Sequence, residues 1–236
     1  MPKGQSQAVF GLVTVQAEEV SEARPEQAER RPMDIVCVLD VSGSMGCDNK
    51  INDLKEAMRF IISESQPQDR LSIVAFQSFA ERKIRLRRMD SQGKDEAMLE
   101  TMRLNAGGGT SIAAGLDMGL AVLEGRRQRN SVSAILLLTD GQDHSTRHQL
   151  TALTQRAAKV CGLYAFGFGA DHDADLLREI SEQARTPYTF VENTSTVKDA
   201  FAGVVGGLSS IVAQKIELSL ESKALLKEVN TPFEVQ

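Results

Sequence analysis

The sequence predicts a three-layer α/β fold, in which helices cover both faces of a doubly wound, mostly parallel sheet. Short apolar strands alternate with segments of helical period along most of the 236 residues, as expected for repeated βα units. Residues 133–139 are apolar almost throughout, which is typical of a strand buried on both faces. With 42% hydrophobic residues, the chain can fill one large core.

In chain order, the first strand of this pattern spans 34–40 and ends in a glycine-rich loop. Apolar residues between 51 and 62 then recur at helical spacing. The alternation over 81–87, close behind a strand at 70–77, predicts an antiparallel strand at one edge of the sheet. The remaining elements are predicted as helices at 92–104 and 111–125, the strand 133–139, a helix at 146–160, a strand at 162–168, a helix at 173–183, a strand at 188–191 and a helix at 196–214.

Both ends of the chain fall outside this alternation. Residues 8–15 and 215–221 show period-two patterning and are predicted to be flanking β-strands, and the charged stretch 18–31 is predicted to be a linker. We therefore divide the chain into an N-terminal strand with a linker (1–30), one α/β domain (31–214) and a C-terminal strand of an adjoining β element (215–236).

The charge and the cysteine content of the chain argue against several classes of protein. The net charge of −5 and the pI of about 5.4 argue against a nucleic-acid binder, which usually carries a basic surface. No run of 18 apolar residues occurs, and the first residues lack the apolar segment of a signal peptide, so membrane insertion and secretion find no support. Three cysteines are too few for a disulfide framework. We expect a cytoplasmic or otherwise intracellular protein.

Polar residues follow two of the predicted strands, where open α/β sheets bind ligands. Asp40, Ser42 and Ser44 occupy alternate positions of a tight turn after the first strand. Asp140 follows the strand at 133–139, and Thr110 lies in a glycine-rich loop. Five oxygen ligands without sulfur or imidazole fit Mg²⁺, with Mn²⁺ or Ca²⁺ as substitutes. The alternative is that the hydroxyls only cap helices and shape turns.

Three of these segments resemble the metal-ion-dependent adhesion site (MIDAS) of the von Willebrand factor type A (VWA) domain. They are Asp40-Val-Ser-Gly-Ser44, Gly109-Thr110 and Thr139-Asp140-Gly141, in this order. The resemblance implies a Rossmann-like sheet that binds Mg²⁺ through the five residues, directly or through water. It also implies a partner protein whose Asp or Glu completes the coordination, because only two of the five ligands are anionic.

Further segments resemble the intracellular subgroup of that family, which includes RING-type ubiquitin ligases. The chain shows no RING cysteine set, so the resemblance does not imply ligase activity for this chain. The segments that carry it are Ala75-Phe76, Gly167-Phe168-Gly169, Asp171-His172-Asp173, Asp199-Ala200-Phe201 and Gly206-Gly207-Leu208.

Three enzyme motifs that share features with these segments are not matched by the sequence. A phosphatase of the haloacid-dehalogenase type needs an acidic residue two positions after its first aspartate, where this chain has Ser42. The serine-hydrolase elbow G-x-S-x-G is not matched around Ser44. A dinucleotide-binding fingerprint that starts at Gly167 fails at His172. We therefore predict that the chain is not an enzyme, with a Mg²⁺-dependent phosphatase as the weakest alternative.

The predicted function is a divalent-cation-dependent protein–protein interaction module. The alternative is a scaffold, or the substrate-recruiting part of a larger protein such as a ubiquitin ligase, with a constitutively filled or vestigial metal site. Residues beside the five ligands are predicted to form a rim that contacts the partner. The rim residues are Met45, Asp48, Gly109, Gln142, Asp143 and His144.

Two other clusters allow two interpretations each. His144 and His148 lie four apart near a helix start and could pair on a transition metal, but without a third ligand they are more simply surface histidines. The basic residues within 82–88 could attract an acidic partner, or could protect an exposed edge strand from aggregation.

Overall fold

A computed structural model describes residue 14 and residues 31–143, 145–192 and 194–210. A short 3₁₀ turn, Gly43–Gly46, follows the first strand. The strands are β1 (Met33–Asp40), β2 (Arg70–Phe76), β3 (Ala80–Arg88), β4 (Val132–Thr139), β5 (Gly162–Phe168) and β6 (Tyr188–Val191). The helices are α1 (Lys50–Glu64), α2 (Ser91–Met102), α3 (Ile112–Glu124), α4 (Arg147–Val160), α5 (Ala174–Ala184) and α6 (Thr194–Ser210).

The strands form one sheet in the order β3-β2-β1-β4-β5-β6. Neighbouring strands run parallel except β2 and β3, which pair antiparallel. This confirms the predicted fold class and its antiparallel edge strand. The strand order reverses at β1, which lies between β2 and β4, and such a reversal opens a crevice at the carboxyl ends of the strands.

Helices cover both faces of the sheet. In β1, Ile35, Cys37 and Leu39 are buried in the cluster that includes α1 and α6, whereas Val36 and Val38 are buried in the cluster of α3 and α5. Successive side chains of a strand point to opposite faces, so β1 must be apolar at every one of these positions. The same reason explains the continuous apolar run of β4, which is buried along its whole length.

The part of the chain that the structure describes is shorter than the sequence. The predicted flanking strands at 8–15 and 215–221 and the linker lie outside it, apart from Thr14 and residue 31. The helix predicted at 196–214 is α6, which already begins at Thr194. Among the helices described, none has the length and apolar character needed to cross a membrane.

Candidate metal site

Asp40 is the last residue of β1, and its side chain is fully buried. Its Oδ1 accepts a hydrogen bond from the backbone N–H of Ser42 at 2.8 Å, and its Oδ2 accepts one from the hydroxyl of Thr139 at 2.5 Å. The second bond joins the carboxyl ends of β1 and β4. Burial raises the pKa of Asp40 to about 6, although these hydrogen bonds act in the opposite direction.

The hydroxyl groups of Ser42 and Ser44 lie side by side. Their Oγ atoms are 3.2 Å apart, because the 3₁₀ turn Gly43–Gly46 brings both side chains to the same side. Two neighbouring ligands at about 2.1 Å from an octahedral Mg²⁺ are about 3 Å apart. The spacing of the two hydroxyls therefore fits two adjacent positions on one ion.

The loop that carries Thr110 is joined to the turn after β1 by backbone hydrogen bonds. Gly43 N–H donates to the carbonyl of Gly108 at 3.0 Å, and Gly107 N–H donates to the carbonyl of Val41 at 2.8 Å. Gly108 has a φ of +80°, and a Cβ at this position would lie 1.7 Å from Oε1 of the Gln77 side chain. Glycine therefore allows both the backbone conformation of this loop at Gly108 and its close packing against Gln77.

Asp140 follows β4 and is fully buried. Its Oδ1 accepts a bond from the backbone N–H of Gln142 at 3.3 Å, and its Oδ2 accepts one from Nζ of Lys50 at 3.2 Å. The Lys50 side chain is 1% exposed, and its Nζ also lies 2.6 Å from Oδ1 of Asp171. Burial favours the neutral amine, but the hydrogen bond to Asp171 and the charge of Asp140 outweigh it and raise the pKa of Lys50. The ammonium is therefore charged.

The path of the Lys50 side chain depends on Gly169, just after β5. Gly169 has a φ of +81°, and a Cβ there would lie 2.5 Å from Cε of Lys50. Sequence reasoning missed both Lys50 and Asp171 as part of the site. The available signals were a lysine at the start of a helix that follows the metal-binding turn, and a carboxylate shortly after a third strand of the same sheet.

The structure corrects part of the predicted rim. Asp48 and Gly109 are exposed, and Gln142 is half-buried, where its side-chain amide donates to Asp171 at 3.0 Å. Met45 is fully buried, because the 3₁₀ turn directs its side chain into the core beside α1. His144 lies outside the described residues.

Asp143, also predicted at the rim, is buried instead and organises the loop after β4. Its carboxylate accepts bonds from the backbone N–H groups of Ile112 at 2.8 Å, Ser145 at 2.9 Å and Thr146 at 2.9 Å. Burial alone would raise the pKa of Asp143, but the hydrogen bonds lower it. Asp143 therefore ties the start of α3, next to Thr110, to the end of β4.

The donor set contains two buried carboxylates. Asp140 is paired with Lys50, but Asp40 has no cationic partner in the described part of the chain. No cluster of three or more His, Cys, Asp or Glu side chains that could hold a metal occurs among these residues. An ion at this place would therefore need hydroxyl groups and water as well. Mg²⁺ binds through one or two carboxylates and keeps several waters, so the residues present fit it.

Two exposed aromatic side chains border the same edge of the sheet. Phe79 is 60% exposed and follows Ser78, whose hydroxyl accepts a bond from Gly109 N–H at 3.0 Å. Phe190 is 40% exposed and stacks on His172, with ring centroids 4.7 Å apart. Aromatic residues are enriched at protein–protein interfaces, and neither side chain is part of the predicted rim.

Comparison with known proteins gives consistent matches. Residues 34–203 match the family model of the von Willebrand factor type A domain. The chain is 32% identical over 196 residues to E3 ubiquitin-protein ligase WAV3 of Arabidopsis thaliana, covering 83% of this chain and 25% of that protein. It is 28% identical over 186 residues to calcium-activated chloride channel regulator 1 of Mus musculus, covering 78% and 20%.

Solved structures agree with the observed fold. The structure of von Willebrand factor type A from Catenulispora acidiphila aligns with a TM-score of 0.69 at 22% sequence identity, covering 76% of this chain and 43% of that one. BatB from Bacteroides thetaiotaomicron aligns with a TM-score of 0.64 at 15% identity, covering 76% and 100%. The chain spans 25% and 20% of the length of the two curated relatives described above.

Proposed function

The chain belongs to the von Willebrand factor type A family, and from that membership we propose that it is a protein-interaction module that binds Mg²⁺ at the carboxyl ends of β1 and β4. The residues that hold the ion, directly or through water, are Asp40, Ser42, Ser44, Thr110 and Asp140. When bound, Mg²⁺ supplies a positive centre that accepts the carboxylate of an Asp or Glu from a partner protein.

The buried, unpaired carboxylate of Asp40 is the observation that supports this proposal most directly. A buried charge is costly unless it is paired or binds a metal. Among the described residues, Asp40 meets hydrogen-bond donors but no cation. The neighbouring serine hydroxyls are neutral, so they add ligands without cancelling the charge of a dication. The two carboxylates only balance the dication, so a coordination position that the protein leaves to water stays open to the carboxylate of an acidic partner.

Lys50 compensates the second carboxylate when no ion is bound. Its ammonium, 3.2 Å from Oδ2 of Asp140, keeps that side chain in place and lowers the net negative charge of the site. Because like charges repel across a few ångströms, the ammonium also weakens binding of a dication. Lys50 therefore holds Asp140 in position and lowers the affinity of the site for Mg²⁺.

Replacement of Lys50 by Met is expected to increase the affinity for Mg²⁺ by about tenfold. Met retains most of the apolar stem and removes the ammonium, whose charge repels a dication bound beside Asp140; a tenfold change in affinity corresponds to about 1.4 kcal/mol. Calorimetric titration of Mg²⁺ into chelator-treated protein measures the change. Lys55→Met, on the same helix but bonded to the carbonyl of Met102, is the matched control and leaves the affinity unchanged. An unaltered affinity in Lys50→Met would exclude this role.

The affinity for Mg²⁺ is expected to fall as the pH falls through about 6, the pKa to which burial raises Asp40. Protons compete with the metal for the carboxylate, so the affinity at pH 5 is about tenfold lower than at pH 7. Calorimetric titrations at the two pH values test this. The stability of the metal-free chain depends on pH in the opposite direction. Because the pKa of Asp40 is raised in the folded state, its protonated form favours folding, and this stabilisation is lost as the pH rises through about 6. A constant affinity from pH 7 to pH 5 would contradict the role of Asp40.

The partner interaction is tested by affinity capture with the chain in Mg²⁺, followed by elution first with EDTA and then with urea, so that partners that do not need Mg²⁺ are recovered as well. The identified protein is then purified and its affinity for the chain is measured. We expect binding that needs Mg²⁺, that Asp140→Ala abolishes, and that is lost when one Asp or Glu of the partner is replaced by its amide. Equal affinity in EDTA and in Mg²⁺ would contradict the proposal.

A second candidate function is the recruitment of substrates within a larger protein. It is favoured by the match to WAV3, which is named an E3 ubiquitin-protein ligase and of which the chain covers 25%. The capture experiment shows whether such recruitment needs Mg²⁺, because a scaffold with a vestigial metal site binds its partner equally well in EDTA.

A further inference from the structure

A cavity lined by arginine and apolar side chains lies at the opposite end of the sheet from the candidate metal site, where β1 and β2 begin and α3 ends. It has a volume of about 410 Å³. Asp34, next to it at the start of β1, is six residues from Asp40, or roughly 20 Å along an extended strand. The cavity is therefore separate from the candidate metal site. The arginines that line it are Arg70, Arg82, Arg85, Arg126 and Arg127.

Asp34 is the one carboxylate that pairs with these guanidinium groups among the described residues, most closely with Arg70. Nε and Nη2 of Arg70 each lie 2.7 Å from an oxygen of Asp34, which makes a bidentate pair. The same carboxylate also accepts bonds from the backbone and side chain of Asn130 at 3.1 and 2.8 Å. No acidic side chain within the described ranges pairs with Arg82, Arg85 or Arg127. The cavity therefore keeps a large excess of positive charge.

Arg126 adds a buried cation to the wall of this cavity. Its side chain is 7% exposed, yet its Nε and Nη1 have no hydrogen-bond partner in the described structure. Nη2 reaches the hydroxyl of Ser133 at 3.4 Å, and Nε lies 3.4 Å from Oδ2 of Asp34. Buried donors without acceptors are rare in native proteins. A protective role for charges on an edge strand explains exposed residues of β3, but not this buried side chain beyond α3.

We propose that this cavity binds a phosphate monoester. Guanidinium groups match phosphate oxygens in bidentate geometry, and a monoester carries about −1.5 to −2 charges at pH 7. A single carboxylate carries only one negative charge and would leave more of the arginines unpaired. The volume falls within the range of about 300 to 1,000 Å³ of small-ligand sites, and apolar wall residues such as Leu86 and Val122 can contact the organic group. The monoester comes either from a phosphorylated protein side chain or from a small metabolite.

Three probes distinguish the sources: inorganic phosphate, O-phosphoserine, and a phosphoserine peptide paired with its unphosphorylated form. Calorimetry or NMR titration of the full chain is expected to show binding of at least the phosphopeptide. The double variant Arg82→Gln/Arg85→Gln weakens this binding by about tenfold or more. Arg88→Gln, which removes an exposed arginine of the same strand outside the cavity, leaves it unchanged.

Arg126→Met is expected to weaken binding of the phosphopeptide as well. If this variant does not fold, the exposed double variant Arg82→Gln/Arg85→Gln tests the proposal instead. Binding of the phosphopeptide alone supports the proposal with a protein as the source, and binding of O-phosphoserine as well supports it with a small molecule. Absence of binding, binding of inorganic phosphate alone, or equal affinity for phosphorylated and unphosphorylated peptide overturns it. Equal affinity of the wild type and the double variant for the phosphopeptide overturns it as well.

Discussion

Replacing Asp40 by Asn is expected to lower the affinity for Mg²⁺ by at least about a hundredfold. Loss of groups that merely support a metal ligand already costs about 10- to 100-fold, and Asp40 is one of only two carboxylates in the set. The amide has the shape of the carboxylate, and its oxygen can still accept the bond from Ser42 N–H that is 2.8 Å long in wild type. The metal-free variant should therefore fold normally. Calorimetric titration measures the affinity, and the rise of Tm with Mg²⁺ provides a second readout.

Asp48→Asn is the matched control for this variant. Asp48 is exposed, lies close to Ser44 in sequence, and has a φ of +48°, a conformation that Asn tolerates well. The substitution removes the same charge from the same loop and should leave the Mg²⁺ affinity within about twofold, because exposed charges are largely screened. An equal loss of Mg²⁺ affinity in both variants would show that the effect comes from the overall charge of the loop. Undiminished binding by Asp40→Asn would refute the site.

Replacement of Asp143 by Ala is expected to reduce the free energy of unfolding by about 3 kcal/mol. The carboxylate accepts backbone bonds from Ile112, Ser145 and Thr146, and alanine leaves these N–H groups without that acceptor. A buried unsatisfied donor costs about 1–3 kcal/mol, and water can satisfy some of the three. Urea unfolding measures the loss. Because the bonds hold the start of α3 next to Thr110, the Mg²⁺ affinity should also fall.

Asp117→Ala is the control for this variant. It shows whether the loss of stability is specific to Asp143 or follows from the removal of any carboxylate. Asp117 is exposed and pairs with Arg156 at 2.6 Å on the surface, where an ion pair contributes about 0–1 kcal/mol. This variant should therefore lose less than about 1 kcal/mol and keep its affinity for Mg²⁺. Comparable losses in the two variants would show that Asp143 does not organise the loop.

The layout of the fold could be predicted because it rests on local patterns. β4 is apolar at nearly every position because both its faces are covered. Asp40 ends β1, and Asp140 directly follows β4. Parallel strands place their carboxyl ends at the same edge, so the two carboxylates could be assigned to one site from sequence spacing alone.

Long-range contacts within the site could not be predicted in this way. Lys50 reaches Asp140 across 90 positions of sequence, through a space that exists only because Gly169 has no side chain. The sequence places Asp143 at the rim, because its position near Asp140 does not reveal the three backbone N–H groups that bond to its buried carboxylate. It also places Met45 at the rim, because the 3₁₀ turn that buries this side chain has no distinct sequence pattern.

The most direct test of the central claim is anomalous diffraction from crystals of the chain grown with Mn²⁺ in place of Mg²⁺. We predict one strong anomalous peak at the carboxyl ends of β1 and β4, next to the hydroxyls of Ser42 and Ser44 and the carboxylates of Asp40 and Asp140. Absence of a peak there at saturating Mn²⁺, with the Lys50 ammonium still bonded to Asp140, would contradict the proposal that this edge of the sheet binds a divalent cation.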